Sequence, residues 1–107
     1  AGMLRSFQYA AYAALFGQVP GISPESAETG RVEAWCAFWN AWIGAAFLRT
    51  YLERARSHSY LSPQPAARRL VLDAFLLQKA VYEVSYELNN RPDWVRIPLR
   101  GILSLLG

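Results

Sequence analysis

Charge is scarce in this 107-residue chain: 18% of its residues are charged, against 53% hydrophobic. The 11 basic and 8 acidic residues give a net charge of +3 and form no basic stripe. Nucleic-acid binding wants such a stripe on a recognisable module, and neither is present. The aromatic residues lie in apolar runs rather than among basic ones, which argues against a platform for stacking single strands. Cysteine occurs once, at Cys36, so no internal disulfide can form and no metal-ligand spacing exists. Cys36 sits in an apolar run, reads as a core thiol and fits a reducing compartment. Histidine also occurs once; without a second His, a Cys pair or a placed acid, His58 makes neither a metal site nor a triad. There is no Gly-rich phosphate loop, no His-x-Asp or Asp-Phe-Gly-like pair and no Gly-x-Ser-x-Gly elbow. The longest apolar run, Ala34 to Leu48, covers 15 residues with Asn40 inside it. That is short of the roughly 18–20 needed to cross a bilayer. No signal-peptide pattern is visible, so a cytoplasmic location with no membrane contact is expected. Strand signals are missing too: Val95–Ile97 is short and ends at Pro98. These absences leave an all-α fold in one domain spanning residues 1–107.

Aromatics are abundant instead: four Trp, six Tyr and five Phe, with few charges to cover them. Such a surface is expected to meet another part of a protein. Residues 2–16 read as a first helix. Met3, Phe7, Ala10 and Ala14 form one stripe, Leu4, Ala11 and Leu15 its neighbour, and Tyr9, Tyr12 and Phe16 an aromatic edge. Arg5 interrupts it with no visible anion partner, as a surface or cap arginine would. Gly17–Ser23 breaks the chain, and Ser23-Pro24-Glu25 reads as a cap and first turn. The second helix is apolar almost all round to Leu48. Trp35, Phe38, Trp39 and Trp42 share one face; Cys36, Ile43 and Phe47 share another. That composition predicts the buried axis of the molecule, with core packing favoured over a ligand platform for the Trp face. Gly44 with Ala45 and Ala46 makes a thin place for a crossing helix. The helix turns amphipathic from Arg49 and ends near His58, and Tyr60–Pro65 is a loop.

A third helix begins near Pro65 or Ala66. Leu70, Ala74, Leu77, Val81, Val84 and Leu88 recur at steps of four and three, so this stripe is expected to face the core. On the opposite side Lys79, Tyr82 and Tyr86 fall within an arc of roughly 60°. One ammonium and two phenols beside apolar surface suit a polyhydroxylated ligand: rings cover C–H faces while polar tips bond hydroxyls. The alternative is a helix edge where these residues keep their tips in water. Asn89-Asn90-Arg91-Pro92 ends the helix, with Asn suited to a left-handed cap, and Pro98 opens a closing helix. Glu87 and Arg91 have favourable i,i+4 spacing, and Glu83 and Glu87 read as structural. The architecture expected is three long helices followed by one or two short C-terminal ones.

The run KAVYEVSYELNNRPDWVRIPLRGI, residues 79–102, resembles the C-terminal end of bacterial maltokinases, including kinases fused to or named as trehalose synthases. AGMLRSFQYAA, residues 1–11, resembles the segment of that family just downstream of its metal-binding motif. The likeness is close at both ends and loose across about residues 17–66. It departs at Gln78, where the family carries an acidic residue before the lysine, which removes a charge beside Lys79.

The resemblance implies the C-terminal lobe of an aminoglycoside-phosphotransferase or protein-kinase-like fold. It implies a phosphotransferase with an alcohol acceptor: ATP-dependent phosphorylation of maltose to maltose 1-phosphate, feeding α-glucan and trehalose metabolism. ATP and magnesium would serve the complete enzyme and neither would be bound here. No catalytic residue is expected among these 107 residues, since phosphoryl transfer needs metal-held phosphates and a base for the hydroxyl. The implied maltose contacts are Lys79, Tyr82 and Tyr86, and Arg5 would lie near the chemistry. The implied partners are the rest of the kinase chain, maltose and a trehalose synthase domain. The competing expectation is a non-catalytic helical scaffold attached to a trehalose synthase. Tyr82 and Tyr86 facing an open groove would favour the sugar; both packed under Trp94 would favour the scaffold.

Overall fold

The computed structural model describes residues 1–16 and 27–107. The Gly17–Ser23 break and the Ser23 cap lie outside the described residues. Four α-helices follow in order: α1 (Gly2–Phe16), α2 (Ala27–Ala55), α3 (Pro65–Asn90) and α4 (Arg96–Leu106), with a 3₁₀ turn at Pro92–Val95 before α4. No strand occurs among the described residues. The fold is therefore all-α, with three longer helices and a short C-terminal pair.

Local chemistry sets the boundaries. Pro65 occupies the first turn of α3, where its missing N–H costs nothing. The Arg68 guanidinium donates to the carbonyls of Ser62 (3.0 Å) and Pro63 (3.3 Å), fastening the preceding loop. At the other end Asn89 and Asn90 stay helical instead of adopting a left-handed cap. Their side-chain amides donate back one turn to the carbonyls of Ser85 and Tyr86, both at 2.8 Å. Pro92 then forces the 3₁₀ turn, and Pro98 lies buried in the first turn of α4.

The axis of the molecule is α1, not α2. It packs on α2 along one flank and on α3, the 3₁₀ turn and α4 along the other. Its inward residues are Arg5, Gln8, Ala11, Tyr12 and Leu15. Ala11, Tyr12, Leu15 and Ile97 form the apolar core, with Tyr9, Val32, Cys36 and Trp94 packed around them. Gly44 is the close crossing point: a Cβ there would touch the Leu4 side chain at 3.4 Å. Cys36 is only partly buried, and its thiol donates to the Ala11 carbonyl at 3.2 Å.

Two expected faces are reversed. The Trp side of α2 is not core: Trp35, Phe38, Trp39 and Trp42 are all exposed. The Cys36, Ile43 and Phe47 flank meets α1 instead, because a helix apolar all round carries no moment to choose a side. Likewise the Leu70, Leu77, Val81 and Leu88 stripe of α3 is exposed. The buried residues of α3 are Ala80, Glu83 and Glu87. Arg5 decides this. It is 4% exposed, and its Nε donates to Glu83 Oε2 at 2.8 Å while Nη2 reaches the same oxygen at 2.5 Å. Gln8 accepts from Nη1. An arginine facing inward on α1 draws the acidic side of α3 toward it.

Removing one partner of a buried ion pair strands the other charge. Glu83→Ala should therefore cost about 3–5 kcal/mol in denaturant unfolding. Gly101→Ala should cost about 1–3 kcal/mol. The added Cβ would lie 2.8 Å from the Arg5 Cζ, and that guanidinium cannot swing aside without leaving Glu83. A loss under 1 kcal/mol for Glu83→Ala would show that Arg5 reaches water in solution.

Candidate functional site

Lys79, Tyr82 and Tyr86 do share a face, and it looks outward. Tyr82 is 61% and Tyr86 45% exposed. The two rings lie near-parallel, with centroids 6.5 Å apart and planes 24° from each other. The Lys79 ammonium stands 5.0 Å from the centre of the Tyr82 ring. Arg91 continues the series beyond the helix end, with its Cζ 5.7 Å from the Tyr86 ring and 4.2 Å from the Trp94 ring. The result is a ladder in which cations and aromatic rings alternate: Lys79, Tyr82 with Tyr86, Arg91, Trp94. Each cation over a ring contributes about 0.5–1 kcal/mol at an exposed site.

The ladder is anchored from behind. Glu87, 1% exposed, accepts two parallel bonds from Arg91: Nε to Oε2 at 3.0 Å and Nη2 to Oε1 at 2.8 Å. The expected i,i+4 pair therefore forms, and in a fixed fork geometry. Glu87 Oε1 also accepts from the Tyr9 hydroxyl of α1 at 2.9 Å. The neighbouring carboxylate strengthens the Arg91 charge, raising its pKa. Burial, the bond to Glu87 and the nearby charges of Glu83 and Glu87 push the Tyr9 phenol above its ordinary 10.0, with Arg5 opposing. Among the described residues no buried side-chain N or O atom lacks a hydrogen-bond partner.

Neither of the two arrangements that would separate sugar site from scaffold occurs. The tyrosines do not pack under Trp94, which turns its ring to Tyr9 at 6.5 Å and to Arg91. Nor do they line a groove within the chain. The large cleft, about 870 Å³, lies elsewhere, between the start of α1, the last turns of α2 and the first half of α3. It is lined by side chains such as Leu4, Leu52, Val71 and Phe75, and along α3 it stops at Phe75. Lys79, Tyr82 and Tyr86 form an open face, one wall without an opposing one.

Arg91 and Trp94 belong to this face, and helical periodicity could not find them because both lie past the end of α3. The signal was a cation and an aromatic residue three positions apart, Arg91 and Trp94, on either side of the turn that Pro92 enforces. Arg5 had a partner too, but 78 residues away in sequence. His58 stands on the Tyr60 ring edge, 5.4 Å between centroids, with Ser57 at 2.9 Å from its Nδ1.

Among the described residues no group of three or more His, Cys, Asp or Glu is placed to hold a metal ion. The two buried carboxylates, Glu83 and Glu87, are each committed to an arginine. Neither carboxylate is left open to a metal ion. No described helix is long and apolar enough to cross a membrane. No family model matches the chain, and no solved structure matches it.

The Tyr9 shift gives a pH dependence. A phenol whose folded pKa is raised favours its neutral form in the native state. Its contribution is complete below about pH 10 and is lost as the pH climbs above that. The melting temperature of the wild-type chain should therefore fall more steeply above pH 10 than that of Tyr9→Phe. Equal slopes in a thermal melt series would mean that neither burial nor Glu87 holds the phenol neutral.

Proposed function

We propose that this chain is the C-terminal helical part of a maltokinase-type kinase lobe, and that the outer face of α3 contributes acceptor-sugar contacts. The observation that carries the reading is the exposure of Lys79, Tyr82 and Tyr86 on one rigid face, where the resemblance in residues 79–102 puts sugar recognition. A pyranose offers C–H faces and a rim of hydroxyls. Tyrosine rings cover the first, while phenol and ammonium groups bond the second. The second wall of the cleft, the nucleotide with its magnesium, and the base for the sugar hydroxyl all belong to the rest of a kinase chain. On this reading the protein is cytoplasmic, and the 107-residue chain alone transfers no phosphate.

A second reading is a non-catalytic helical scaffold joined to a trehalose synthase domain. The exposed Trp face of α2 favours it, because that surface is larger and more apolar than the tyrosine face. The two readings separate by mutation in the complete enzyme. Tyr86→Phe deletes one hydroxyl and keeps the ring, so maltose affinity should fall by about 0.5–1.5 kcal/mol. Tyr82→Ala removes a ring as well and should cost more, with ATP affinity unchanged in both. Calorimetric titration with maltose and with ATP reads this directly, alongside a thermal melt. Unchanged maltose affinity in both variants would discard the sugar reading. Turnover of maltose and ATP by the isolated chain would discard the placement of catalysis outside it.

A further inference from the structure

The Trp side of α2 has its own internal order. Trp35, Phe38, Trp39 and Trp42 are 65%, 59%, 44% and 69% exposed. At 100° per residue Arg31, Ala46, Arg49 and Glu53 continue the same side toward the two ends of the helix. The α1 helix meets a different flank, through Cys36 and Gly44. The stripe is bulky in its N-terminal half and small in its C-terminal half, where Ala45 and Ala46 are exposed. It is cationic at Arg31 and anionic at Glu53.

Such a stripe complements itself when turned end for end. With the two-fold axis at Trp42, Phe38 of one copy falls opposite Ala46 of the other, and Trp39 opposite Ala45. Phe38 and Trp39 each meet an alanine, which lets the helices approach on either side of the axis, where the two Trp42 rings meet each other. In the same register Trp35 faces the Arg49 stem and guanidinium, and Arg31 faces Glu53. No other axis along the helix joins all four matches. We propose that a second copy of this chain docks on this stripe, α2 against α2 in antiparallel array.

Area and charge both support that occupant. A buried aromatic side chain covers about 150–250 Å². At the observed exposures the four rings offer roughly 400–500 Å² per copy, so a pair approaches the ~1,000 Å² of a specific interface before Ala46 and the arginine stems are added. The intrachain Arg49–Glu53 pair, 3.0 Å long, has side chains 82% and 52% exposed. A pair so exposed holds its partners weakly, and Glu53 can turn to Arg31 of the second copy. A closed two-fold contact also uses the patch once per chain and stops at a dimer. A lipid surface is a poorer match, since Arg31, Arg49 and Glu53 lie on the stripe itself. The proposal stands apart from the sugar reading, because α3 contributes nothing to it.

Sedimentation equilibrium of the 107-residue chain over a concentration series tests it. The wild type should form a reversible dimer. Arg31→Glu should weaken it by about tenfold or more, and Arg31→Glu combined with Glu53→Arg should restore it toward wild type. Ala46→Trp fills the small half and should leave monomers with an unchanged circular-dichroism melt, because Ala46 is exposed within one chain. If Ala46→Trp misfolds, the charge pair still decides. A chain that stays monomeric at all concentrations overturns the proposal. So does association indifferent to these variants, which would place the contact elsewhere. Failure of the double variant to restore the dimer overturns the antiparallel register.

Discussion

The structure depends on buried charge between α1 and α3. Arg5 and Glu83 pair at the centre, and Tyr9, Glu87 and Arg91 form a second cluster one turn along. Ions taken out of water are expensive, and their attraction offsets that expense only when geometry is good and every lone pair is used. Here Glu87 accepts from two elements at once, and Arg5 spends its donors on Glu83 and Gln8. What such a network supplies is register. An apolar interface tolerates sliding by a turn; a guanidinium set on one carboxylate does not. The small core of Ala11, Tyr12, Leu15 and Ile97 then packs around contacts already fixed.

This explains which parts of the fold the sequence disclosed. Helix limits are local matters, and Pro65, Pro92 and Pro98 mark them in plain text. The Glu87–Arg91 pair is local too. Facing is not. In α3 the alternation of Leu70, Leu77, Val81 and Leu88 is a real periodicity, yet it describes the outer side, because the inner side is set by a residue 78 positions away from Glu83. The legible clue was a pair of glutamates four residues apart, Glu83 and Glu87, on the azimuth of Ala80. The single charged residue of α1, Arg5, was its counterpart. In α2 the apolar residues encircle the helix, so no sequence pattern distinguishes the side that meets α1 from the side that does not.

The reversal has a consequence for function. Large apolar side chains lie open along α2 and α3: Trp35, Trp42, Leu70, Val81 and Leu88 are each more than half exposed. Three surfaces share this exposure, namely the Trp stripe of α2, the apolar cleft reaching Phe75, and the outer side of α3. Contiguous apolar surface on this scale marks contact with other protein or with ligand. The composition foretold an exposed apolar surface while misplacing it: the Trp face of α2 is open, and the core takes Tyr12 with Tyr9 and Trp94 beside it.

The aromatic ladder shows how inside and outside are joined. Arg91 is simultaneously the ligand of buried Glu87 and the cation between the exposed ring of Tyr86 and the half-buried ring of Trp94. The end of the outer face at Arg91 is therefore held by the inner network. Binding that must first order flexible side chains loses roughly 0.5–1.5 kcal/mol for each one. Arg91, fixed by a forked pair and flanked by two rings, has already met that entropy on folding, and Tyr86 shares in it. The same coupling works in reverse. Anything that loosens Glu87, whether a lost Tyr9 hydroxyl or a shifted α1, frees Arg91 first and the tyrosine face after it. The α1–α3 contact thus sets the geometry of a surface that α1 itself meets only at its edge, where Tyr9 lies against Trp94.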